Sequence, residues 1–409
     1  MSLEHLALGT TNDFPIRTDD PVHIGKVRSV YWFTAKDSSR IIQAHQYNLD
    51  PNSPLGAMII SDRISAFDVN WKGEDGLQGV PGKGAVLNGT SYQWFQEFDA
   101  EGLAGNHVVA VPHPLVWIVQ RAQPVMVEAI ARQYITGSMW RAYDERGERE
   151  FCGIHLPNGL VKNQRLDELL ITPTTKGIMR GIPGILEEDD TNITLDQISA
   201  NYHAFGLKNE LDVAEFVELL REGFEIISKK LESIGRIFVD TKFEFGYIPA
   251  GNGQNAMIYI DEVGTPDSSR IWLVVDYTAN PGSPIDESKE GFRQYLIRNA
   301  GEALMTPHSG LTEVRGQVAS FYNVDVAGLV GRGKRFKDTF DLGNDLMTNK
   351  KTFALREAMA GVYRVPVDQM MQVSATYRGF AEALGVQTPR IVDPHQEVLD
   401  ALAPYGVLR

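Results

Sequence analysis

Apolar and polar side chains alternate from Ile237 to Phe245. Ile237, Val239, Thr241, Phe243 and Phe245 fall on one face of an extended chain, and Asp240, Lys242 and Glu244 on the other. A Gly-Asn-Gly segment at 251–253 and a second apolar run at 257–260, closed by Asp261 and Glu262, complete the pattern of an antiparallel hairpin. Apolar runs broken by turn residues predict further strands at 23–33, 39–48, 57–69, 108–111, 115–119 and 125–132. Helical spacing marks 85–98, 292–298 and the stretch 211–234, where Val217, Leu220, Phe224, Ile227, Leu231 and Ile234 share a face ahead of Gly235. Met370, Val373, Tyr377, Phe380 and Leu384 outline a last amphipathic helix. Between these, residues 305–351 are rich in glycine and polar side chains and carry the basic run Gly331-Arg332-Gly333-Lys334-Arg335, a pattern expected of a solvated insertion.

A chain of 409 residues calls for two or three lobes rather than one core. Hydrophobic residues at 43% and charged residues at 22% are ordinary for a globular protein. No apolar run approaches bilayer length, and the N-terminus lacks the sections of a signal peptide, so the expected location is the cytoplasm. Cys152 is the single cysteine, which excludes an intramolecular disulfide and a cysteine-based metal site. The formal net charge of −14 argues against nucleic acid or an anionic membrane as the main partner. Small anionic ligands remain compatible, because a local cluster of cations can hold them. The oligomeric state is not legible.

Several short constellations could carry chemistry. In the hairpin, Glu244 and Asp261 would come together as oxygen donors for a hard divalent cation, with Arg270 just beyond to fork onto a phosphate or carboxylate. Gly25, Lys26 and Arg28 place a glycine turn before two cations expected on one strand face. Asp62, Arg63 and Ser65 end an apolar strand, and Lys83 sits between two glycines as if on a flexible loop. Arg132 closes another strand ahead of Gly137 and Ser138, with Ser138 the expected cap of a helix whose free N–H groups could meet an anion. Thr172, Thr174, Thr175 and Lys176 gather hydroxyls and an ammonium around a proline turn. Taken singly, each pattern also describes a wet strand face, a structural salt bridge or ordinary turn chemistry.

Their order along the chain is more specific. GKVRSVY at 25–31, SDRISAFD at 61–68, PGKGAVLNGTSYQWF at 81–95, RQYITGS at 132–138, LPNGL at 156–160, ITPTTK at 171–176, VDTKFEFG at 239–246 and IDEVGTPDSSRIW at 260–272 together resemble the SAICAR synthetase family. The resemblance implies a SAICAR synthase-like α+β fold: an antiparallel ATP-binding lobe at 22–122, a larger α/β substrate- and metal-binding lobe at 123–304, the insertion at 305–351, and a helical extension at 352–409, outside the cleft. It also implies a ligase that uses ATP and Mg²⁺ to join carboxyaminoimidazole ribonucleotide to L-aspartate. In that reading Gly25, Lys26 and Arg28 approach the ATP phosphates, Glu244 and Asp261 hold magnesium, and Lys242 stabilises the transferred phosphoryl group. Arg132, Ser138 and Arg270 grip the ribonucleotide, Thr174 and Lys176 line its site, and Asp62, Arg63, Ser65 and Lys83 lie near the imidazole and the aspartate. Two departures stand out. The family's His-Asp-Glu-Asn-Ile-Ser segment is replaced by Asp189-Asp190-Thr191-Asn192-Ile193-Thr194, and its Asp-Lys-Gln before a late helix by Phe292-Arg293-Gln294. Those changes leave two other expectations in play, a small-molecule kinase and a non-catalytic nucleotide-binding relative.

Overall fold

The computed structural model describes residues 2–251, 254–306, 310–330 and 336–409. The expected turn at Asn252 and Gly253 and the basic run 331–335 lie outside the described residues. Two antiparallel sheets face one another across a cleft. The first has the strand order His23–Ile24, Arg28–Trp32, Leu55–Ile60, Val116–Gln120, Val108–His113. Leu55–Ile60 and Val116–Gln120 are buried throughout, so the sheet is covered on both faces.

The second sheet is organised by one long strand, Arg236–Gly251. Val127–Tyr134 lies beside it, with Arg165–Ile171 further out. Gln254–Ile260 and Ser269–Leu273 also pair with it. Helix Asp212–Ser233 covers one face with the apolar stripe read from the sequence, burying Phe216, Leu220, Phe224, Ile227 and Leu231. Helix Lys83–Ala100 joins the two layers: the Trp94 indole N–H donates to Gly264 O at 3.1 Å, and the Phe98 ring packs on Phe243 and Tyr259.

Three expectations need correction here. Residues 39–48 read as a strand, yet Ala35–His45 is a helix. Its start is written locally, since the Thr34 hydroxyl accepts from Asp37 N and so caps the first turn. Residues 305–351 are not simply solvated. Helices Thr312–Phe321 and Thr339–Thr348 bury Val318, Leu342 and Leu346 completely. Helix Thr339–Thr348 crosses Lys289–Met305 so closely that a Cβ on Gly301 would lie 1.8 Å from Thr339 O, and one on Gly343 2.1 Å from Ile297 O. Facing glycines, read as loop signals in the sequence, are what let these two helices touch.

The C-terminal helices are not peripheral either. Val367–Ala383 packs on Lys83–Ala100, where the Ser374 hydroxyl donates to Pro81 O at 2.7 Å. It is also not the last helix, for Pro394–Leu402 follows. The chain then returns to its start: Arg17 and Arg40, both held by Asp37, donate to the carbonyls of Leu408 and Tyr405.

Candidate active site

The antiparallel register of the long strand decides which side chains meet in the cleft. Asp240 stands opposite Arg132 on one neighbour and Arg270 on the other, and Glu244 stands opposite Ile260, the residue before Asp261. A cavity of about 2010 Å³ between the sheets is lined by Gly25, Lys26, Arg28, Ser65, Arg132, Ser138, Thr174, Lys176, Lys242, Glu244, Asp261 and Arg270. Asp62, Arg63 and Lys83 are the three expected site residues that do not line it.

At one end two guanidiniums converge on a single carboxylate. Asp240 Oδ2 accepts from Arg132 Nη1 at 3.1 Å and from Arg270 Nη1 at 2.6 Å. Arg132 also donates to the hydroxyls of Thr172 and Ser138, and Arg270 to Glu290. The chain at Gly137 runs against Arg270, with φ of +56° and room for no side chain: a Cβ there would sit 2.6 Å from Arg270 Nη2. Ser138 does not cap the helix as expected. Thr136 occupies the cap of Gly137–Asp144, and Ser138, the second helical residue, accepts from Arg132 through its hydroxyl. Two arginines against one aspartate make this a cationic, bidentate-donor end suited to phosphate or carboxylate.

Further along the strand the charges alternate. Lys242 Nζ lies 2.5 Å from Glu128 and 3.4 Å from Glu244, and Lys176 also pairs with Glu244. The Thr174 hydroxyl donates to Glu128. Burial pushes the Glu244 carboxyl up, but Lys242 and Lys176 outweigh it and hold the group below its ordinary value. Asp261 sits in the left-handed region, φ 59°. Burial, reinforced by Glu244 and Glu262, keeps its carboxyl above the usual range although Arg28 is 3.4 Å away. Asp261 is thus a carboxylate short of positive charge, beside Glu244, which two lysines already neutralise.

The N-terminal lobe departs most from expectation. Arg28 is buried and bound to Glu262 at 3.0 Å, whereas Lys26 precedes the strand, is exposed, and pairs with Asp68 at 2.6 Å. They do not share a strand face, because the chain bends between them. Lys83 is not on a flexible loop. It opens helix Lys83–Ala100, is wholly buried, and meets Asp267 at 2.8 Å. Asp62 is buried as well and accepts from the backbone of Leu8 and Gly84, its carboxyl driven up to about 6 by burial. Arg63 turns to the Ser61 hydroxyl and Gly25 O. Asp62 and Lys83 therefore brace the wall of the cleft from behind. Residues not singled out as site candidates from sequence also line the cleft: Glu128, Asp240, Asp267, Lys289, Glu290 and Arg293. The clearest missed signal was Asp240, already placed on the polar face of the strand between the two arginines' own strands.

A cleft of paired acids and cations between two antiparallel layers defines an enzyme that handles small, highly charged substrates. The match to known proteins is closer than that. Residues 45–306 fit the SAICAR synthetase family model. The chain is 48% identical over 410 residues to the phosphoribosylaminoimidazole-succinocarboxamide synthase of Vibrio atlanticus (strain LGP32), covering 100% of each chain. It is 48% identical over 404 residues to the protein of the same name from Saccharophagus degradans, covering 98% of each. In structure it is similar to a SAICAR synthase with TM-score 0.57 at 24% identity, covering 93% of this chain and 97% of that one. A second, the SAICAR synthase of Saccharomyces cerevisiae complexed with SAICAR, gives 0.53 at 22% identity, with 92% and 100% covered. The chain belongs to the SAICAR synthetase family, with that family's α+β fold, and is an ATP-dependent ligase of purine biosynthesis. The kinase and non-catalytic readings are not favoured. Among the described residues no helix is long and apolar enough to cross a membrane.

Proposed function

We propose that the cleft joins carboxyaminoimidazole ribonucleotide to L-aspartate through an acyl phosphate, with ATP as phosphoryl donor. The observation that carries this reading is the division of the long strand: paired guanidiniums at Asp240, and an acid–lysine cluster two and four residues on at Lys242 and Glu244. The first suits the ribonucleotide phosphate, gripped by Arg132, Ser138 and Arg270. The second suits the triphosphate and the carboxylate to be activated. A carboxylate is a poor electrophile, so one of its oxygens must first become part of a phosphate leaving group. That transfer asks for positioning and charge neutralisation rather than covalent help from the protein.

Lys242 would neutralise charge on the transferred group; burial favours loss of its proton, but Glu244 and Glu128 outweigh that and keep the ammonium charged. Lys176 and Thr174 would hold the same region from the facing strand. Gly25, Lys26 and Arg28 would close the triphosphate side, Arg28 by fixing Asp261 and Glu262 in place. Ser65, which lines the cleft, would lie near the imidazole and the aspartate. Glu244 and Asp261 fit a magnesium ion, since two carboxylate donors beside phosphate oxygens are what this hard cation uses. When bound, it would supply positive charge to neutralise the phosphates. The location this implies is the cytoplasm.

The test is isotopic. Substrate carrying ¹⁸O in its carboxylate should deliver one labelled oxygen to inorganic phosphate for each amide formed. Unlabelled phosphate would rule out the acyl phosphate.

A further inference from the structure

Lys289 has no part in the chemistry above, yet its surroundings are unusual for a lysine. It is the first residue of helix Lys289–Met305, and its backbone N–H donates to Pro266 O at 2.9 Å, pressing the helix start against the 265–270 loop. Its side chain is 15% exposed and lines the cleft, with Nζ 3.6 Å from Asp267 Oδ2. That carboxylate is already engaged. Lys83 Nζ holds Oδ2 at 2.8 Å, and the Tyr377 hydroxyl donates to Oδ1 at 2.9 Å. Two ammonium groups thus share one counter-charge, and the buried Lys83 has the shorter contact.

The other charges around Lys289 do not make up the deficit. Glu262, at the end of the hairpin, attracts it from a distance, whereas Lys83 on the neighbouring helix and Arg293 one turn along its own helix repel it. Glu290, beside it in sequence, is turned to Arg270 and Arg293. The helix start adds the positive end of the peptide dipoles. Burial, with Arg293 and Lys83, brings the ammonium down to about 8 against the pull of Asp267. The ammonium is thus easier to deprotonate than that of an ordinary lysine, and it opens onto the cleft.

The amide-forming half of the reaction needs such a group. The α-amino group of aspartate arrives as an ammonium, with no lone pair to attack a carbonyl. We propose that Lys289 is the general base that takes one proton from the aspartate ammonium before attack, making direct contact with its nitrogen. The freed lone pair forms the C–N bond, the acyl C–O bond breaks, and phosphate departs with that electron pair and with the second proton of the nitrogen. Lys289 then returns its proton to water in the cleft. This inference rests on the acyl-phosphate reading, and the test separates the two.

Hydroxylamine is already a neutral nucleophile at neutral pH and needs no base. Wild-type protein with ATP, Mg²⁺ and the ribonucleotide should form a hydroxamate from it; failure to do so would sink the acyl-phosphate reading itself. Lys289→Arg keeps the positive charge but cannot accept a proton. It should lower kcat with aspartate by about 10²-fold or more while changing hydroxamate formation by less than about threefold. In wild type kcat/KM for aspartate should level off above about pH 8, whereas in the variant it should keep rising until the amino group of free aspartate itself loses its proton. Lys289→Gln serves as a second variant under the same assays. Aspartate turnover within a few fold of wild type in either variant overturns the proposal. So does an equal loss of both reactions, which would mark Lys289 as a positioning residue.

Discussion

Removing the Asp240 charge is the most informative single perturbation of the cleft. Asp240, Arg132 and Arg270 have side chains only 6%, 7% and 17% exposed, so solvent screens their interaction weakly. Asp240→Asn keeps the shape but puts a neutral amide between two guanidiniums that already face each other. Breaking a buried ion pair by losing one partner costs about 3–5 kcal/mol, because the remaining charge is stranded. Here Arg132 loses that carboxylate, Arg270 keeps Glu290, and the two guanidiniums repel. At about 2.1 cal/mol/K per residue, 409 residues melting together shift by about 1.2 °C per kcal/mol, so the melting temperature should fall by about 4–6 °C. The lost counter-charge is also one that a phosphate can replace. Thermal melts of wild type and Asp240→Asn with and without ribonucleotide, or with millimolar inorganic phosphate, read both effects. The variant should gain more from the anion than wild type does. A melting temperature within 2 °C of wild type, or equal gains from anion in both, would show that the two arginines are not organised by Asp240.

Glu244→Ala or Asp261→Ala should abolish turnover with the fold intact by circular dichroism, and wild-type rates in either refute the metal assignment. Gly137→Ala places a methyl group against Arg270 and forces φ +56° on a residue that resists it; the ribonucleotide KM should rise by tenfold or more with little change in KM for ATP, and equal KM values contradict the arginine's role. Gly301→Ala should lose about 2 kcal/mol or more in urea unfolding, since its Cβ would overlap Thr339 O, while Gly316→Ala, with nothing within 4 Å, should gain a few tenths. Equal effects would mean that residues 312–348 do not pack on the core. The Asp62 carboxyl is raised from 3.8 to about 6, so its proton favours the folded state most below pH 3.8, and that contribution is lost as the pH rises through about 6. At about 1.4 kcal/mol per unit the stability difference between wild type and Asp62→Asn should change by about 3 kcal/mol across that window; a pH-independent difference removes Asp62 as a titrating brace.

Along the long strand the alternation holds from Asp240 to Phe245, with Phe243 and Phe245 in the core and Asp240, Lys242 and Glu244 on the cleft. A register shift between Phe238 and Asp240 turns Phe238 onto Phe224 of the helix and leaves Ile237 and Val239 with Tyr134 and Trp272, so the strand and its hairpin were legible only in part. Residues 39–48 were not, because Ile41 and Ile42 side by side look like strand while the deciding signal, the Thr34 cap, lies outside the window. Lys83 and the glycines of 301–343 share one cause. Glycine marks a turn in sequence, but here it marks close approach, of a helix start to the Ser61 carbonyl at Gly84 and of two helices at Gly301 and Gly343. Asp240, Asp267 and Lys289 escaped for another reason. Their meaning depends on which cation each carboxylate already holds, and that follows from strand register and helix docking. The assignment of Asp62 and Lys83 to the substrate site likewise came from motif order alone, and burial moves both behind the cleft wall.

The decisive measurement is the stoichiometry of ADP and amide in one reaction mixture of purified protein, ATP, Mg²⁺, carboxyaminoimidazole ribonucleotide and isotopically labelled L-aspartate. One ADP should appear for each labelled succinocarboxamide product, with both falling together in Glu244→Ala. ADP released at the same rate without aspartate, and no labelled amide, would contradict the ligase chemistry assigned to this cleft.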